Sequence, residues 1–475
     1  MNQSKTISAQ AERGHVRSTS RSTLLISNHA RISRAAADPA YTAALRPKSF
    51  YERVVMQTLE RMTLGGLQLE LPDGTKKTIG QPDAKISASV RVLNRDFFKR
   101  CVLFGDIGFG EAFVDGDWDT DDITKVISWF ILNVENSPAM SGARGKKVLI
   151  NLLGWQNRLS HLLRPNSLST SHRNISEHYD LGNEFYKLFL DPTMTYSSAL
   201  FDEQGGVPAE RRQLSVTDST ALGRDAATQT LEEAQIAKYD RLCHQLKLKA
   251  GEQVLEIGSG WGGFSLHAAK NYGVRITTVT ISEEQFKYAR ELFQKEGLAD
   301  QIEIKLLDYR RLTGQFDKIV SIEMLEAVGD AYLETYFAKC HEVLKPGGLL
   351  ALQMITCPDS RYDSLRKNVD WIQKHIFPGS LLLSVHRVNE ALRKTGDLFL
   401  HDLKDLGLSY AETLKRWRVA FNQNEAAVRA LKFDRRFIRK WNYYLSYCEA
   451  AFARRNISVV QAIYTRPNNP TLTNL

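Results

Sequence analysis

Residues 254–263 read VLEIGSGWGG, and this stretch decides the fold. A short apolar run leads directly into closely spaced glycines and then into a helical pattern, which predicts a buried strand, a tight loop and a helix. Glycines allow a sharp turn there, and they let a ligand approach the backbone without a Cβ in the way. The stretch therefore predicts a ligand-binding loop, with a purely structural turn as the alternative.

The glycine spacing fits two classes of ligand. Gly258-x-Gly260-x-x-Gly263 is the fingerprint of dinucleotide-binding proteins. The same residues also fit Glu256-x-Gly258-x-Gly260-x-Gly262, the pattern of S-adenosylmethionine enzymes. Both patterns use glycine for the same physical reason, so the loop alone does not distinguish the two cofactors.

The following strands favour S-adenosylmethionine. A hydride-transfer enzyme usually carries an acidic residue about 20 residues further on, at the end of the next strand, where it binds the ribose. Here that strand ends VTIS at residues 279–282, without an acid inside it. Glu283 and Glu284 come just after it, and an exposed helix start explains them equally well. The third strand ends LLDY at residues 306–309, where methyltransferases bind adenine.

Apolar runs alternate with helical stretches from about residue 173 to the end of the chain. The predicted strands are 253–257, 275–280, 301–307, 318–322 and 349–354. This rhythm is typical of a parallel sheet covered on both faces. We therefore predict an α/β fold for residues 173–475: a Rossmann-like class I methyltransferase domain with a seven-stranded, mostly parallel sheet and the cofactor at the carboxyl ends of its strands.

Residues 46–138 have the pattern of a smaller α+β domain. We predict a helix over 50–62, strands over 67–71 and 87–93, and a buried helix over 126–134. Gly105, Gly108 and Gly110 are close together and are interpreted as tight bends. We expect this domain either to present the substrate or to pair two chains in a homodimer.

Two polar and basic segments flank this domain. Residues 1–45 are rich in Ser, Thr, Ala and Arg and are interpreted as a disordered basic tail, with an organellar transit peptide as the alternative. Residues 139–172 are interpreted as the linker, parts of which have an amphipathic helical pattern over 148–163.

The composition narrows the class of protein. The chain has 475 residues, 43% of them hydrophobic, and no apolar run long enough to span a membrane as a helix. Its five cysteines form no CxxC pair, which argues against a disulfide framework or a metal site and fits a reducing cytoplasm. The net charge of +9 leaves nucleic acid, anionic lipid or no specific partner open. No motif combining aromatic and basic residues accompanies the basic residues near the C-terminus, so we set nucleic acid aside.

Several longer motifs resemble those of the cyclopropane-fatty-acyl-phospholipid synthases and their mycolic-acid relatives. They are HYDLGNEFY at 178–186, LDPTMTYSS at 190–198, TISEEQ at 280–285, SIEMLEAVG at 321–329 and GLSY at 407–410, extending through Trp417. The resemblance covers roughly residues 50–465, whereas generic methyltransferases share only the glycine loop and its neighbours.

The resemblance implies an enzyme that transfers a methylene group from S-adenosylmethionine to the cis double bond of unsaturated phospholipid acyl chains. It also implies bound bicarbonate as the general base, and a location in the cytoplasm, peripheral on the inner face of the membrane. The first alternative is an acyl methyltransferase that gives a methyl-branched or methylene lipid. A small-molecule N-methyltransferase and a lipid-binding protein with a vestigial cofactor site are the further alternatives.

The resemblance assigns residues to an anion site. Glu326, Tyr410 and the backbone amide of Ile355 match positions around the bicarbonate. Ser198 replaces a frequent Cys and Gln353 a frequent His, and both side chains can still hydrogen-bond an anion.

Other departures and matches surround that site. Ala327 replaces a common His. Cys448 matches a cysteine once proposed as a catalytic nucleophile, but alkene methylation needs no covalent enzyme intermediate, so we interpret it as structural.

The resemblance also assigns cofactor and acyl positions. The cofactor-binding candidates are Tyr196, Ser197, Glu256, Gly258, Gly260, Gly262, Thr280, Ile281, Gln285, Asp308 and Tyr309. Gln285 is the position at which the family binds the ribose with an amide instead of an acid. Trp371, Ile372 and residues 377–379 would line an acyl tunnel, with plain core packing as the alternative.

Overall fold

The computed structural model describes residues 49–133, 181–201 and 229–472. The predicted tail (1–45), the linker (139–172) with its helical stretch, and residues 178–180 of the HYDLGNEFY motif lie outside the described residues. The predictions for those segments therefore stay predictions.

The first described segment folds into a four-stranded sheet with three helices. The elements are α1 (Phe50–Leu59), β1 (Gly66–Glu70), β2 (Lys76–Gly80), β3 (Ser87–Val92), α2 (Asp96–Asp115), β4 (Trp118–Asp119) and α3 (Ile123–Leu132). The strand order is β2-β1-β3-β4, with β1 antiparallel to β2 and parallel to β3. Side-chain caps begin two of the helices: Ser49 accepts a hydrogen bond from the amide of Glu52, and Asp122 accepts one from Lys125.

The three glycines predicted as tight bends lie inside one helix. Only Gly105 bends the chain, with a φ of 58° that kinks α2. Gly108 and Gly110 are helical and serve close packing: a Cβ on Gly110 would lie 2.5 Å from the ring of Trp371. The prediction of bends was therefore wrong at Gly108 and Gly110, because glycine in a helix can also make room for a neighbouring side chain.

The remaining described residues build a seven-stranded sheet. Its strands are β5 (Gln253–Ile257), β6 (Arg275–Thr280), β7 (Ile302–Leu306), β8 (Phe316–Ile322), β9 (Leu344–Thr356), β10 (Phe399–Asp405) and β11 (Ser458–Thr465). Their order is β10-β11-β9-β8-β5-β6-β7. Strands β9, β8, β5, β6 and β7 run parallel, and β11 is antiparallel to both of its neighbours. This architecture confirms the predicted seven-stranded, mostly parallel sheet.

Helices surround this sheet. They are α4 (Asn183–Tyr186), α5 (Leu231–Gln245), α6 (Gly263–Tyr272), α7 (Glu283–Lys295), α8 (Leu333–Val343), α9 (Asp359–Leu365), α10 (Trp371–His375), α11 (Val385–Thr395), α12 (Gly407–Gln423), α13 (Glu425–Ala430) and α14 (Arg435–Ala453). Among the residues that the structure describes, no helix is long and apolar enough to cross a bilayer.

The strand order creates a crevice beside β5. From β5 the chain continues to β6 and β7 on one side, and it later returns to β8 and β9 on the other side. Ligands of such sheets bind outside the carboxyl ends of the strands where the order reverses. The loops after β5 and β8 meet there, since a Cβ on Gly258 would lie 3.0 Å from the side chain of Met324.

Helix α14 joins the two sheets. Arg439 donates to the backbone oxygen of Phe113 at 2.7 Å and to that of Trp118 at 3.0 Å. Its guanidinium carbon also lies 3.9 Å from the centroid of the Phe113 ring. Arg439 therefore serves the contact between α14 and the first described segment.

Candidate active site

The glycine loop presents an open backbone to the crevice. Gly258, Gly260 and Gly262 have φ values of 96°, 50° and 93°, in the left-handed region that favours glycine. A Cβ on Gly260 would meet no protein atom within 4 Å, whereas one on Gly262 would lie 2.8 Å from the ring of Phe293. Gly262 therefore serves the packing of the loop on α7, and Gly260 leaves the space that a cofactor needs.

Glu256 lies beneath this loop. It is buried, and its carboxyl group accepts hydrogen bonds from Ser265 at 2.5 Å and Thr278 at 2.6 Å. Burial raises the pKa of Glu256 to about 7. These contacts connect β5 to α6 and β6, so the carboxyl group braces the cofactor loop from the inside of the fold.

The end of β6 orients Gln285. Ser282 begins α7 by accepting a hydrogen bond from the amide of Gln285. The hydroxyl of Thr280 donates to Oε1 of Gln285 at 2.9 Å, and it accepts from the amide of Ser282 at 3.1 Å. The residues 280–285 therefore form one hydrogen-bonded turn, with Ile281 inside it, where the ribose was predicted.

Asp308 and Tyr309 follow β7. The carboxylate of Asp308 accepts hydrogen bonds from Arg310: the guanidinium donates to Oδ2 at 2.6 Å, and the backbone amide donates to Oδ1 at 3.0 Å. The ring of Tyr309 lies 5.2 Å from that of Tyr336, and burial raises its pKa to about 12. Of these two candidates, Tyr309 presents the larger face for an adenine ring, while Asp308 is held in a local ion pair.

The LDPTMTYSS motif contributes the facing wall. The hydroxyl groups of Tyr196 and Tyr444 are 2.8 Å apart, and the ring of Tyr196 lies 5.2 Å from Trp417. Ser197 accepts a hydrogen bond from Lys238 at 2.8 Å. Trp261, in the glycine loop, donates to Asn183 of the HYDLGNEFY motif at 2.7 Å. Hence the HYDLGNEFY motif is hydrogen-bonded directly to the cofactor loop.

The centre of the crevice holds a carboxyl group that the sequence did not single out. Glu323 comes directly after β8, and its Oε1 accepts from the backbone amide of Ser198 and from Nε2 of Gln353, both at 2.8 Å. Its Oε2 accepts from the hydroxyl of Tyr410 at 2.8 Å. Three residues predicted to bind a bicarbonate therefore converge on the side chain of Glu323.

Glu326 lies beside this group with fewer partners. Its Oε1 accepts a hydrogen bond from the backbone amide of Ile355, and its Oε2 is buried without a hydrogen-bond partner in the described structure. Burial, and then the charge of Glu323, raise the pKa of Glu326 to about 8. Glu326 is therefore mostly protonated at neutral pH.

A bicarbonate does not fit this arrangement. The amide of Ser198, the amide group of Gln353 and the hydroxyl of Tyr410 are directed at Glu323, while the amide of Ile355 is directed at Glu326. The hydroxyl of Ser198 donates to the backbone oxygen of Ala199 instead. Each predicted donor thus already serves an oxygen of the protein, and a second anion here would also face two carboxyl groups.

Residues behind Gln353 fix its orientation. Gln461 on β11 is in register with Gln353 on β9, and its Nε2 donates to Oε1 of Gln353 at 2.9 Å. Arg241 donates to the oxygen of Gln461 at 2.8 Å. Because Gln461 occupies the oxygen of Gln353, Nε2 of Gln353 is oriented to donate to Glu323 at 2.8 Å and to the backbone oxygen of Ser198 at 3.2 Å.

Lys238 brings a cation to the same region. It is fully buried on α5, and burial lowers its pKa to about 7, while the charges of Glu323 and Asp191 raise it. Burial raises the pKa of Glu323, and the hydrogen bonds of Gln353, Ser198 and Tyr410 and the charge of Lys238 oppose that rise. The charge of each group therefore favours the ionised form of the other, while burial opposes it.

The remaining candidate residues, Cys448, Trp371 and Phe377, lie outside the cluster around Glu323. Burial raises the pKa of the Cys448 thiol, so it is not activated as a nucleophile. Trp371 is buried with its ring 4.6 Å from Tyr443, which is core packing. Phe377 lies 6.5 Å from Tyr196 and 5.9 Å from Tyr444, between ring centroids. The acyl tunnel itself stays a prediction.

Sequence reasoning missed Glu323, Lys238 and Gln461. Glu323 had a signal: it is the first residue after a predicted parallel strand, the place where ligand-binding residues of such sheets lie. Lys238 and Gln461 had none, since a lysine in a helix and a glutamine in a strand are ordinarily exposed.

Comparison with known proteins agrees with this geometry. The family model described as mycolic acid cyclopropane synthetase matches residues 166–462. The tuberculostearic acid methyltransferase of Mycobacterium tuberculosis is 36% identical over 409 residues, which cover 85% of this chain and 88% of that protein. The cyclopropane-fatty-acyl-phospholipid synthase of Escherichia coli is 35% identical over 392 residues, or 80% of this chain and 88% of that protein.

Solved structures lead to the same family. A cyclopropane synthase of Mycobacterium tuberculosis superimposes with a TM-score of 0.54 at 28% identity, covering 62% of this chain and 98% of that one. A mycolic acid cyclopropane synthase complexed with SAH and CTAB gives a TM-score of 0.53, with the same identity and coverage. This chain is therefore an S-adenosylmethionine-dependent methyltransferase and belongs to the mycolic acid cyclopropane synthetase family.

Proposed function

We propose that this chain transfers a methylene group from S-adenosylmethionine to the cis double bond of unsaturated acyl chains in phospholipids, which gives a cyclopropane ring. One observation carries the proposal: the carboxyl groups of Glu323, which is partly buried, and of Glu326, which is buried, lie at the crevice next to the open glycine loop. The similarity to the Escherichia coli enzyme, whose name states this substrate and product, supports it.

The residues around the crevice suit a reaction at an alkene. Bound S-adenosylmethionine supplies an electrophilic methyl group. An alkene carries no proton that must leave before it attacks, so no group is needed to activate it. Methyl addition leaves a carbocation, which water would trap as an alcohol, and the site must therefore be dry. The rings of Tyr196, Trp417, Tyr410 and Phe452 supply such a wall.

The substrate lies in a membrane, so the proposal includes docking on its surface. We expect the chain to act on the inner, cytoplasmic face as a peripheral protein. A cleft of about 330 Å³ between α2, α10 and α14 is lined in part by Arg436 and Lys440. Glu111 and Asp434 also line this cleft, but Glu111 is paired with Lys374 and His375. The cations of Arg436 and Lys440 suit lipid phosphates, each being worth roughly 1 kcal/mol near an anionic surface.

A second product deserves the same test. The tuberculostearic acid methyltransferase matches this chain at 36% identity, and its name describes a methyltransferase rather than a cyclopropane synthase. The same first step followed by another proton loss would give a methylene or methyl-branched acyl chain. The chain is thus about equally similar in sequence to a relative named as a methyltransferase and to one named as a cyclopropane synthase, with identities of 36% and 35%.

Lipid analysis of cells that express the chain tests both versions. We expect a gain of one CH₂ for each alkene lost, seen by mass spectrometry, and shielded ring protons by NMR of the purified lipid. Vinylidene protons at the same mass would identify the methylene product. Unchanged lipids from cells that contain folded protein would contradict the proposal, provided that the protein binds S-adenosylmethionine in calorimetry.

A further inference from the structure

We propose that Glu323 itself is the base that removes a proton from the transferred methyl group, so that the reaction needs no bicarbonate. The inference rests on the proposed function and deepens it. It replaces the bound anion that the family resemblance implies with a carboxylate of the chain. The side chain is placed for this task by Tyr410, Gln353 and the amide of Ser198.

The hydrogen bonds distinguish the two oxygens of Glu323. Oε1 accepts from two donors, Ser198 and Gln353, which occupy its two in-plane lone pairs. Within residues 49–133, 181–201 and 229–472, Oε2 accepts from Tyr410 alone. One acceptor position of Oε2 is therefore left for a proton, and this oxygen is the basic atom.

The neighbouring charges favour this division of roles. Lys238 is a buried cation that attracts the carboxylate form of Glu323. Glu326 has one hydrogen bond and retains its proton more strongly, because burial and Glu323 both disfavour its charged form. Of the two carboxyl groups, Glu323 therefore has the surroundings that favour a negative charge more, with three hydrogen-bond donors and a nearby cation. Burial also makes the Glu323 carboxylate a stronger base than an exposed one.

The backbone conformation of Glu323 also supports a functional role for this residue. Its φ is 48°, in the left-handed region where glycine is favoured and a side chain is strained. Strained residues cluster at active sites, where the surrounding structure holds them in place. A glycine would suit this turn better, so the strained backbone marks Glu323 as a candidate functional residue.

The step balances without another reactant. The alkene π pair forms a bond to the methyl carbon, while the carbon–sulfur bond breaks and leaves its electron pair on sulfur. Oε2 of Glu323 then takes a proton from the new methyl group. The electron pair of that C–H bond closes the ring onto the cationic carbon. The proton remains on Glu323 until the products leave and solvent removes it.

The hydrogen bonds also explain why the carboxylate does not add to the cation as an ester. A free carboxylate beside a carbocation could collapse onto it. Here both lone pairs of Oε1 are occupied, and Tyr410 holds Oε2 in one orientation. Glu323 can therefore accept a proton at one position without the movement that a new C–O bond requires.

The test compares rates with and without bicarbonate. The full-length chain is assayed with S-adenosylmethionine and vesicles of unsaturated phospholipid, in buffer purged of carbon dioxide and then with added bicarbonate. We expect the same rate in both buffers. A rate that falls on purging and recovers with bicarbonate would overturn the proposal. Lipids that stay unmodified in both buffers would instead count against the proposed function.

Two variants localise the base. Glu323→Gly should lose about 10²-fold or more in rate. It should regain part of that rate with bicarbonate or formate, because the donors of Tyr410, Gln353 and Ser198 are left for a small anion. Glu323→Gln should be equally slow without rescue, since its amide fills the space. A wild-type rate in Glu323→Gln, or no rescue of Glu323→Gly by either anion, would sink the proposal.

The control separates catalysis from folding. Glycine suits the backbone at position 323, so Glu323→Gly should fold, and melting curves with calorimetry of S-adenosylmethionine binding verify it. Lys247→Gly is the matched variant: Lys247 is exposed and has a φ of 51°, but it precedes β5, at the opposite edge of the sheet. Its rate should equal that of the wild type with either buffer.

Discussion

Glu323 and Glu326 show how strongly the surroundings of two identical side chains can change their ionisation. Glu323 and Glu326 are three residues apart, and Glu323 is partly buried while Glu326 is buried. Glu323 has three donors and a nearby cation. Glu326 has a single donor and an unpartnered oxygen. Hydrogen bonding to the charged form lowers a pKa and burial raises it, so the two groups titrate differently.

Glu326→Gln should alter the pH dependence of stability. The pKa of Glu326 is raised from 4.5 to about 8 in the folded state, so the folded protein keeps a proton that the unfolded chain loses. Glu326 therefore stabilises the fold less and less as the pH rises from about 4.5 to 8. The variant lacks this loss, so its free energy of unfolding relative to wild type should rise over that range, by up to about 5 kcal/mol.

Denaturant unfolding at several pH values measures the difference. Glu60→Gln, at an exposed carboxyl group, is the control for removing one acid from the chain. A difference between Glu326→Gln and wild type that stays constant from pH 4.5 to 8 would show that Glu326 is not held in its neutral form.

Gly260→Val should abolish cofactor binding. A Cβ at this position would enter space that is free of protein atoms, where the ligand is expected, and a β-branched side chain would fill it. Gly297→Val is the matched control, because Gly297 also has a positive φ of 70° and open space around its Cβ. Both variants should melt lower than wild type, but only Gly260→Val should lose S-adenosylmethionine binding in calorimetry. Near-normal affinity would show that the loop is structural.

At the scale of elements, strand register and helix packing build the site. Gln353 and Gln461 face each other because β9 and β11 pair antiparallel in one register. A shift of β11 by one residue would turn Gln461 to the other face of the sheet. Helix α14 in turn carries Tyr444 to the cofactor wall and Arg439 to the smaller sheet.

Arg439→Met should destabilise the contact between α14 and the smaller sheet. Its loss removes a side-chain donor from the carbonyl groups of Phe113 and Trp118 and the contact with the Phe113 ring, while the amide of Gly116 still donates to Phe113. We expect a loss of about 2 to 4 kcal/mol in the free energy of unfolding. Arg435→Met, on the exposed side of the same helix, should change it by less than about 0.5 kcal/mol. Equal effects in thermal unfolding would mean that Arg439 adds nothing specific.

At the scale of the whole molecule, charge and the membrane decide access to the substrate. The chain carries a net charge of +9, and Lys440 is a partly buried cation beside Arg436 at the cleft. Arg436 also reaches Asp115 at 2.8 Å, so Lys440 contributes much of the positive field there.

Binding to vesicles of anionic phospholipid should weaken as salt rises. Attraction between exposed charges is screened over about 8 Å at physiological ionic strength. The double variant Arg436→Gln, Lys440→Gln should bind more weakly in a sedimentation assay. Replacing Lys247 and Lys270 with Gln removes the same charge at the amino edge of the sheet and should have a smaller effect. Equal binding to neutral vesicles at every salt level would contradict surface docking by charge.

Much of the fold followed from the sequence, because it depends on local pattern. The strands at β5 and β6 begin and end at the predicted residues, and the glycine loop follows β5 as expected. Alternation of apolar runs and helical stretches is a property of neighbouring residues, so it can be read without knowing where distant segments lie. The family motifs likewise indicated the class of chemistry.

The assignment of the base depended on tertiary structure. Glu323 meets Ser198 and Tyr410 across separations of 125 and 87 residues, and these meetings follow from the order of the strands. The motifs placed Tyr410, Gln353 and Ser198 near one anion, and in the fold all three hydrogen-bond to the carboxyl group of Glu323. Local sequence determines which elements form, whereas the partners of a buried charge are determined by which elements the fold brings together, because hydrogen bonds act only over about 3 Å.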